Sequence, residues 1–352
     1  MNSLNITSLD KPLIDIPLSL FGASNIDDLA RVCFSYGYMI VLLKNGRTCI
    51  MNCSSDRILE NFNLSQGQMY VLPMDARSDP GTMDSKEILI FSSRDIYKLN
   101  LIRDFHIDNL FSLDSASMEI IRQPIYLDER YVLAVQNEDK ISLVMVSADG
   151  MNELVSVNSA ISTPVNIGKS VFFYTEDEVF IYDLNEHKLL YRSENLYNFD
   201  INSDPKCEGF LVYAKGKDDK IYRINMAYEV PEIFWISHPQ VIQSNFDVIH
   251  GQIMVSHSAG VLLMNKLGQV EWSSDQLLNP YPAYKFSPIS FGRYIAFVMS
   301  YPNTEVLHII RKPEYGQAAS CFGNFMIKPI YYSGQLYTIV EEDFLKMRVY
   351  EL

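Results

Sequence analysis

The feature that most constrains this chain is a repeating unit of about 40 residues, built of short strands and turns and carried from one end to the other. Pro124-Ile125, Pro164-Val165, Pro288-Ile289 and Pro329-Ile330 each open a strand pair, and the spacing is 40 residues in the first two and 41 in the last two. Between them lie two matching tetrapeptides, Asn198-Phe199-Asp200-Ile201 and Asn245-Phe246-Asp247-Val248, which are 47 residues apart; Asp247 precedes Pro288 by 41. Gly37, Gly168, Gly209, Gly251, Gly292 and Gly334 each stand just before an apolar strand, where a tight turn calls for positive φ. The clearest unit reads Val171-Phe172-Phe173-Tyr174, Thr175-Glu176-Asp177-Glu178, Val179-Phe180-Ile181-Tyr182. Its strands are β-branched and aromatic, and its turn is polar. No long segment has the apolar spacing of a helix.

Eight units can be marked out: 31–62, 70–113, 120–157, 164–195, 198–237, 245–274, 288–322 and 329–352, the second carrying an insertion at 73–86. One small antiparallel sheet cannot stand alone in water, but stacked sheets bury each other's faces. The expected fold is therefore all-β: an eight-bladed β-propeller of four-stranded antiparallel blades, forming one domain over residues 1–352. Seven blades is the alternative, if the second or seventh unit is an insertion plus a partial blade. The last unit holds only three strands before the chain ends. The stretch before the first unit, with Leu4 and Ile6 and then Leu13, Ile14, Ile16 and Leu18, has strand-like alternation and is expected to supply the fourth.

The run Thr163-Pro164-Val165, Gly168, Val171-Phe172-Phe173, Asp177 to Leu184 resembles a quinoprotein-type (PQQ-like) propeller repeat. So does Gly251-Gln252-Ile253-Met254-Val255, Gly260-Val261-Leu262, Gly268-Gln269-Val270-Glu271-Trp272. The resemblance implies that Trp272 docks between blades, with Tyr191 and Phe62 as its substitutes elsewhere. The quinone-dependent enzymes of that group use an adjacent Cys-Cys disulfide and a calcium. No adjacent pair exists among Cys33, Cys49, Cys53, Cys207 and Cys321, so no cofactor is expected. Some exported members assist membrane-protein assembly; an N-terminus without a basic, then apolar, leader points instead to a cytoplasmic chain.

The five cysteines lack metal-site spacing and read as free, buried thiols. His250 and His257 flank one strand about seven residues apart, too far for shared ligation at ~3.3 Å per residue, and no metal is expected. A formal charge of −14 argues against nucleic acid, whose affinity comes from Lys and Arg neutralising phosphates. The longest apolar runs, such as Met39-Ile40-Val41-Leu42-Leu43, are far short of the ~20 residues of a membrane helix.

The remaining pattern is acidic. Turns joining second and third strands hold Asp95, Glu138, Asp139, Glu176, Asp177, Glu178, Asp218, Asp219, Glu341, Glu342 and Asp343, partly offset by Arg94, Lys140, Lys217 and Lys220. Such turns share one rim in a propeller and would attract a protein partner with a basic surface, or a cation, although carboxylates are also ordinary in solvated turns. Tyr281 and Tyr284, stiffened by Pro280 and Pro282, offer a second contact surface or pack locally. The leading expectation is a non-enzymatic interaction scaffold. The alternative is an enzyme or small-ligand binder using the central channel, with Asp200 and Asp247 as an acid/base pair or, more plainly, as partners of turn amides.

Overall fold

The computed structural model describes residues 9, 12–53, 58–73, 86–102, 104–227, 231–236, 242–249, 251–257, 260–273, 283–286, 288–301, 303–312 and 316–351. They form eight antiparallel sheets, and the fold is an eight-bladed β-propeller. The seven-bladed alternative is excluded. The fourth blade shows the pattern: Val165–Ile167, Ser170–Tyr174, Glu178–Asp183 and Lys188–Glu194, each strand paired to the next. In the third blade the first position is split into Met118–Ile120 and Ile125–Leu127, both paired with Arg130–Asn137. Among the described residues no helix is long and apolar enough to cross a membrane.

The chain divides into two compact units, residues 1–112 with 284–352, and residues 113–283. Within the first, apolar clusters join the seventh blade to the eighth, the eighth to the first, and the first to the second. Within the second they join the third to the fourth, the fourth to the fifth, and the fifth to the sixth. Middle strands are therefore covered on both faces, which is why they read as unbroken apolar runs. Met39 to Leu43 are all buried, whereas the outer strand Ile58–Asn63 alternates between half-buried and exposed.

The hairpin glycines serve the turn. Gly37 and Gly334 have φ of 84° and follow Tyr36 and Ser333, also left-handed, as a two-residue turn matched to strand twist requires. A second repeat was not visible in the sequence. In six blades the pairing of third and fourth strands shifts by one residue, at Ile50/Met51, Ile96/Tyr97, Leu143/Val144, Ile181/Tyr182, Leu263/Met264 and Ile309/Ile310. Such bulges twist and bend an outer strand. They also test the repeat alignment. Trp272 pairs with Leu263 and Tyr191 with Ile181, both at the bulge, so these two residues are equivalent. The residue at that place in the first blade is Glu60; Phe62 lies two residues further on and packs between the first and second blades.

The eighth blade takes its fourth strand from the start of the chain. Ile14–Pro17 runs antiparallel to Leu345–Glu351, with Asp15 opposite Arg348 and Ile16 opposite Met347. Leu18 and Phe21 follow in a single 3-10 turn and are fully buried between the eighth and first blades. Two cations and two carboxylates lie along this join. Arg348 contacts Asp15 at 3.1 Å and Glu342 at 2.8 Å, and Lys346 contacts the same two at 3.0 and 2.7 Å. Burial works against ionisation of Asp15, but hydrogen bonds from Arg348 and Lys346 outweigh it and hold its carboxyl below the usual range.

Candidate functional site

The acidic turns divide by what their carboxylates do. Several are committed to internal bonds. Glu178 takes two hydrogen bonds from Arg192, at 2.7 and 2.9 Å, across neighbouring strands. Asp218 accepts from the Tyr222 hydroxyl at 2.9 Å and pairs with Lys220 at 2.8 Å. Asp219 pairs with Lys215 at 3.1 Å, and Glu176 with Lys217 of the next blade at 3.0 Å. Burial raises the Asp95 carboxyl, but bonds from Ser112, Ser65 and Tyr97 bring it below its ordinary value, which marks it as part of a local network. Glu342 belongs to the join with Asp15, and Lys346 first of all holds its carboxyl down. Glu341 accepts a 3.4 Å bond from Asn324.

Glu138, Asp139, Asp177 and Asp343 are different. All four are exposed, and among the described residues no cation lies within ion-pair distance of them. Lys140, adjacent to Asp139, is turned to Glu153 at 3.0 Å. Glu138, Asp139 and Asp177 belong to residues 113–283, where they sit in the second-to-third-strand turns of two neighbouring blades.

Between the fourth and fifth blades that end of the unit is tied together by one buried amide. Asn195 donates to the backbone carbonyls of Thr175 at 3.0 Å and Glu176 at 3.2 Å, and its side-chain oxygen accepts from the Phe199 amide at 3.0 Å. Its own amide donates to the Asp177 carbonyl at 2.7 Å. Asn198, left-handed at φ 46°, donates to the Asn195 carbonyl and accepts from the Lys217 amide. The chain between them, Leu196-Tyr197, is thus held outward on a fixed turn. Leu196 is 75% exposed and Tyr197 36%. The Tyr197 ring rests on Phe199 and Tyr222, at 5.8 and 5.2 Å between centroids. On the inner side the Tyr174 hydroxyl donates to the Ser203 carbonyl at 2.9 Å and fixes the rest of the connection.

The tetrapeptide match between Asp200 and Asp247 does not survive in the strand register. Asp247 lies within the first strand of the sixth blade, opposite Met254. Asp200 lies in the connection before the fifth blade, where its carboxylate caps the Asn202 amide. The residue equivalent to Asp247 is Lys206, opposite Tyr213. It stands 41 residues before Asp247, and the spacing of 47 disappears. Lys206 and Asp247, on adjacent inner strands, approach to 3.8 Å. The two aspartates are therefore not a repeated pair.

Tyr281, the 74–85 part of the insertion and His250 lie outside the described residues, as do the side chains of Tyr284 and His257. The five cysteines are free; Cys33, Cys49 and Cys321 are buried, and burial pushes the Cys33 thiol up to about 12. His308 is a core histidine: burial lowers it to about 4, and it meets the Tyr301 hydroxyl at 3.2 Å. Among the described residues no group of three or more His, Cys, Asp or Glu could hold a metal ion.

No family model matches the chain, and no curated protein matches it either. Solved structures do. The computationally designed protein Ika8 aligns over 97% of this chain and 100% of its own, with a TM-score of 0.67 and 8% identity. BamB from Moraxella catarrhalis aligns over 96% and 97%, with a TM-score of 0.61 and 13% identity. The Cps50 (Swd1) β-propeller domain from Myceliophteria thermophila aligns over 97% and 99%, with a TM-score of 0.51 and 11% identity. At such identities the likeness is one of fold.

Proposed function

We propose that this chain is a non-enzymatic protein-interaction scaffold, a propeller of the PQQ-like kind, which receives a partner with a basic surface on the turns of residues 113–283. The observation that carries this reading is the placement of Glu138, Asp139 and Asp177. Among the described residues they have no cation at ion-pair distance, and they are exposed, on turns between well-packed strands, beside other carboxylates whose charge is already used internally. Fixed, unpaired charge of one sign steers a complementary surface and selects against like-charged ones. The equivalence of Trp272 and Tyr191 and the likeness to BamB support the PQQ-like assignment. The net charge of −14 favours a protein partner over nucleic acid.

The test is co-purification from native cells, with quantitative mass spectrometry, of the wild type against Glu138→Gln, Asp139→Asn, Asp177→Asn combined. Exposed charges contribute about 0.2–1 kcal/mol each, so the direct partner should bind about tenfold more weakly, mainly through slower association. Equal recovery of every partner by both baits would remove these turns from the account.

A further inference from the structure

Resting on the scaffold reading, we infer that Leu196 and Tyr197 are the anchor of the partner interface, and that they enter an apolar pocket ringed by lysine or arginine on a folded protein. A leucine left three-quarters exposed on a mobile loop would carry little meaning. This one is held by a buried asparagine side chain with three hydrogen bonds and by backbone bonds at both ends of the turn. Backbone already held in place loses little freedom on association. Tyr197 adds a rigid aromatic surface, supported from beneath by Phe199 and Tyr222. Tyrosine is among the residues that most often carry interface affinity, and a leucine taken out of water contributes about 1.5–3 kcal/mol.

Charge identifies the occupant. Asp177, whose carbonyl receives the Asn195 amide, is exposed and has no ion pair among the described residues, and Glu194 is the exposed residue just before Asn195. Lys217, the exposed cation of the adjoining turn, is engaged by Glu176. Among the described residues, the charges adjoining this turn that have no ion pair, Asp177 and Glu194, are therefore both carboxylates, and a pocket that closes over the turn must bring positive charge to its own rim. The sequence carries a trace of this anchor. Leu196-Tyr197 falls between the fourth and fifth repeat units, so two large apolar residues belong to no strand.

The experiment is site-specific photocrosslinking in native cells with Tyr197→p-azidophenylalanine, using Phe322→p-azidophenylalanine on another exposed surface as the comparison. Cross-linked peptides are sequenced by mass spectrometry, and the partner is purified for titration. The expected result is a cross-link from position 197 to a surface where apolar side chains are flanked by lysine or arginine. With that partner, Leu196→Ala should bind about thirtyfold more weakly, as for the loss of one buried aliphatic side chain, with an unchanged melting temperature. No cross-link from position 197, or one to lipid, nucleic acid or an acidic surface, overturns the inference. So does unchanged affinity in Leu196→Ala. If the Glu138, Asp139 and Asp177 neutralisation still weakens that partner, the scaffold reading stands without the anchor; if it too is silent, both fall.

Discussion

Deletion of residues 1–20 should lower stability by about 3–6 kcal/mol and the melting temperature by about 10 °C. Ile16 and Leu18 are buried in the cluster between the eighth and first blades, and each fully buried aliphatic side chain is worth about 1.5–3 kcal/mol. The deletion also removes Asp15, leaving Arg348 and Lys346 with Glu342 alone. It bares the edge of Leu345–Glu351, a seven-residue and mostly buried strand, which invites aggregation. Thermal melts of the truncated and full chains, run with light scattering, check both effects. A truncated chain that melts with the full one would mean that the initial segment does not stabilise the eighth blade.

Asn195→Ala should cost about 2–4 kcal/mol, a large effect for the loss of one small polar side chain. The substitution strands the Phe199 amide and leaves the Thr175 and Glu176 carbonyls short of their donor, and a buried unsatisfied group costs about 1–3 kcal/mol. Because Asn195 joins the fourth blade to the connection entering the fifth, the loss should be local as well as global. Denaturant melts measure the first, and hydrogen exchange across 195–203 measures the second. Asn195→Asp separates the roles: it keeps an acceptor for Phe199 but sets a carboxylate against two carbonyls, and should be no better than alanine. A stability loss under about 0.5 kcal/mol, the size of an ordinary surface change, would show that the amide does not organise this turn.

The blades were legible because their constraints are local. A run such as Met39 to Leu43 can only be covered on both faces, and a glycine such as Gly334 marks a turn that needs left-handed backbone. The outer-strand bulges were not legible. Four of the six residues they extrude are leucines, Leu59, Leu110, Leu154 and Leu190, a partial signature that Glu271 and Ala318 break and that looks like an ordinary outer-strand residue in the sequence. Asp200 misled because a tetrapeptide match outweighed spacing; the strand register set Lys206 against Asp247 and restored the period. The acidic turns were found, but their division into used and unused charge was not. That division depends on pairs such as Glu176 with Lys217, 41 residues apart and on different blades. Asn195 escaped notice for a similar reason, since its three bonds reach as far as Thr175, 20 residues earlier.

The most direct test of the central claim, that the first strand and the last belong to one sheet, is native-state hydrogen exchange followed by mass spectrometry on peptides covering 12–21 and 344–351. Leu13 donates its amide to Val349 at 2.7 Å, and Ile14–Pro17 lies in register with Lys346 to Val349. The two peptides should be protected together and lose protection at the same denaturant concentration, as one cooperative unit. Rapid exchange of 12–21 while 344–351 stays protected would contradict the claim.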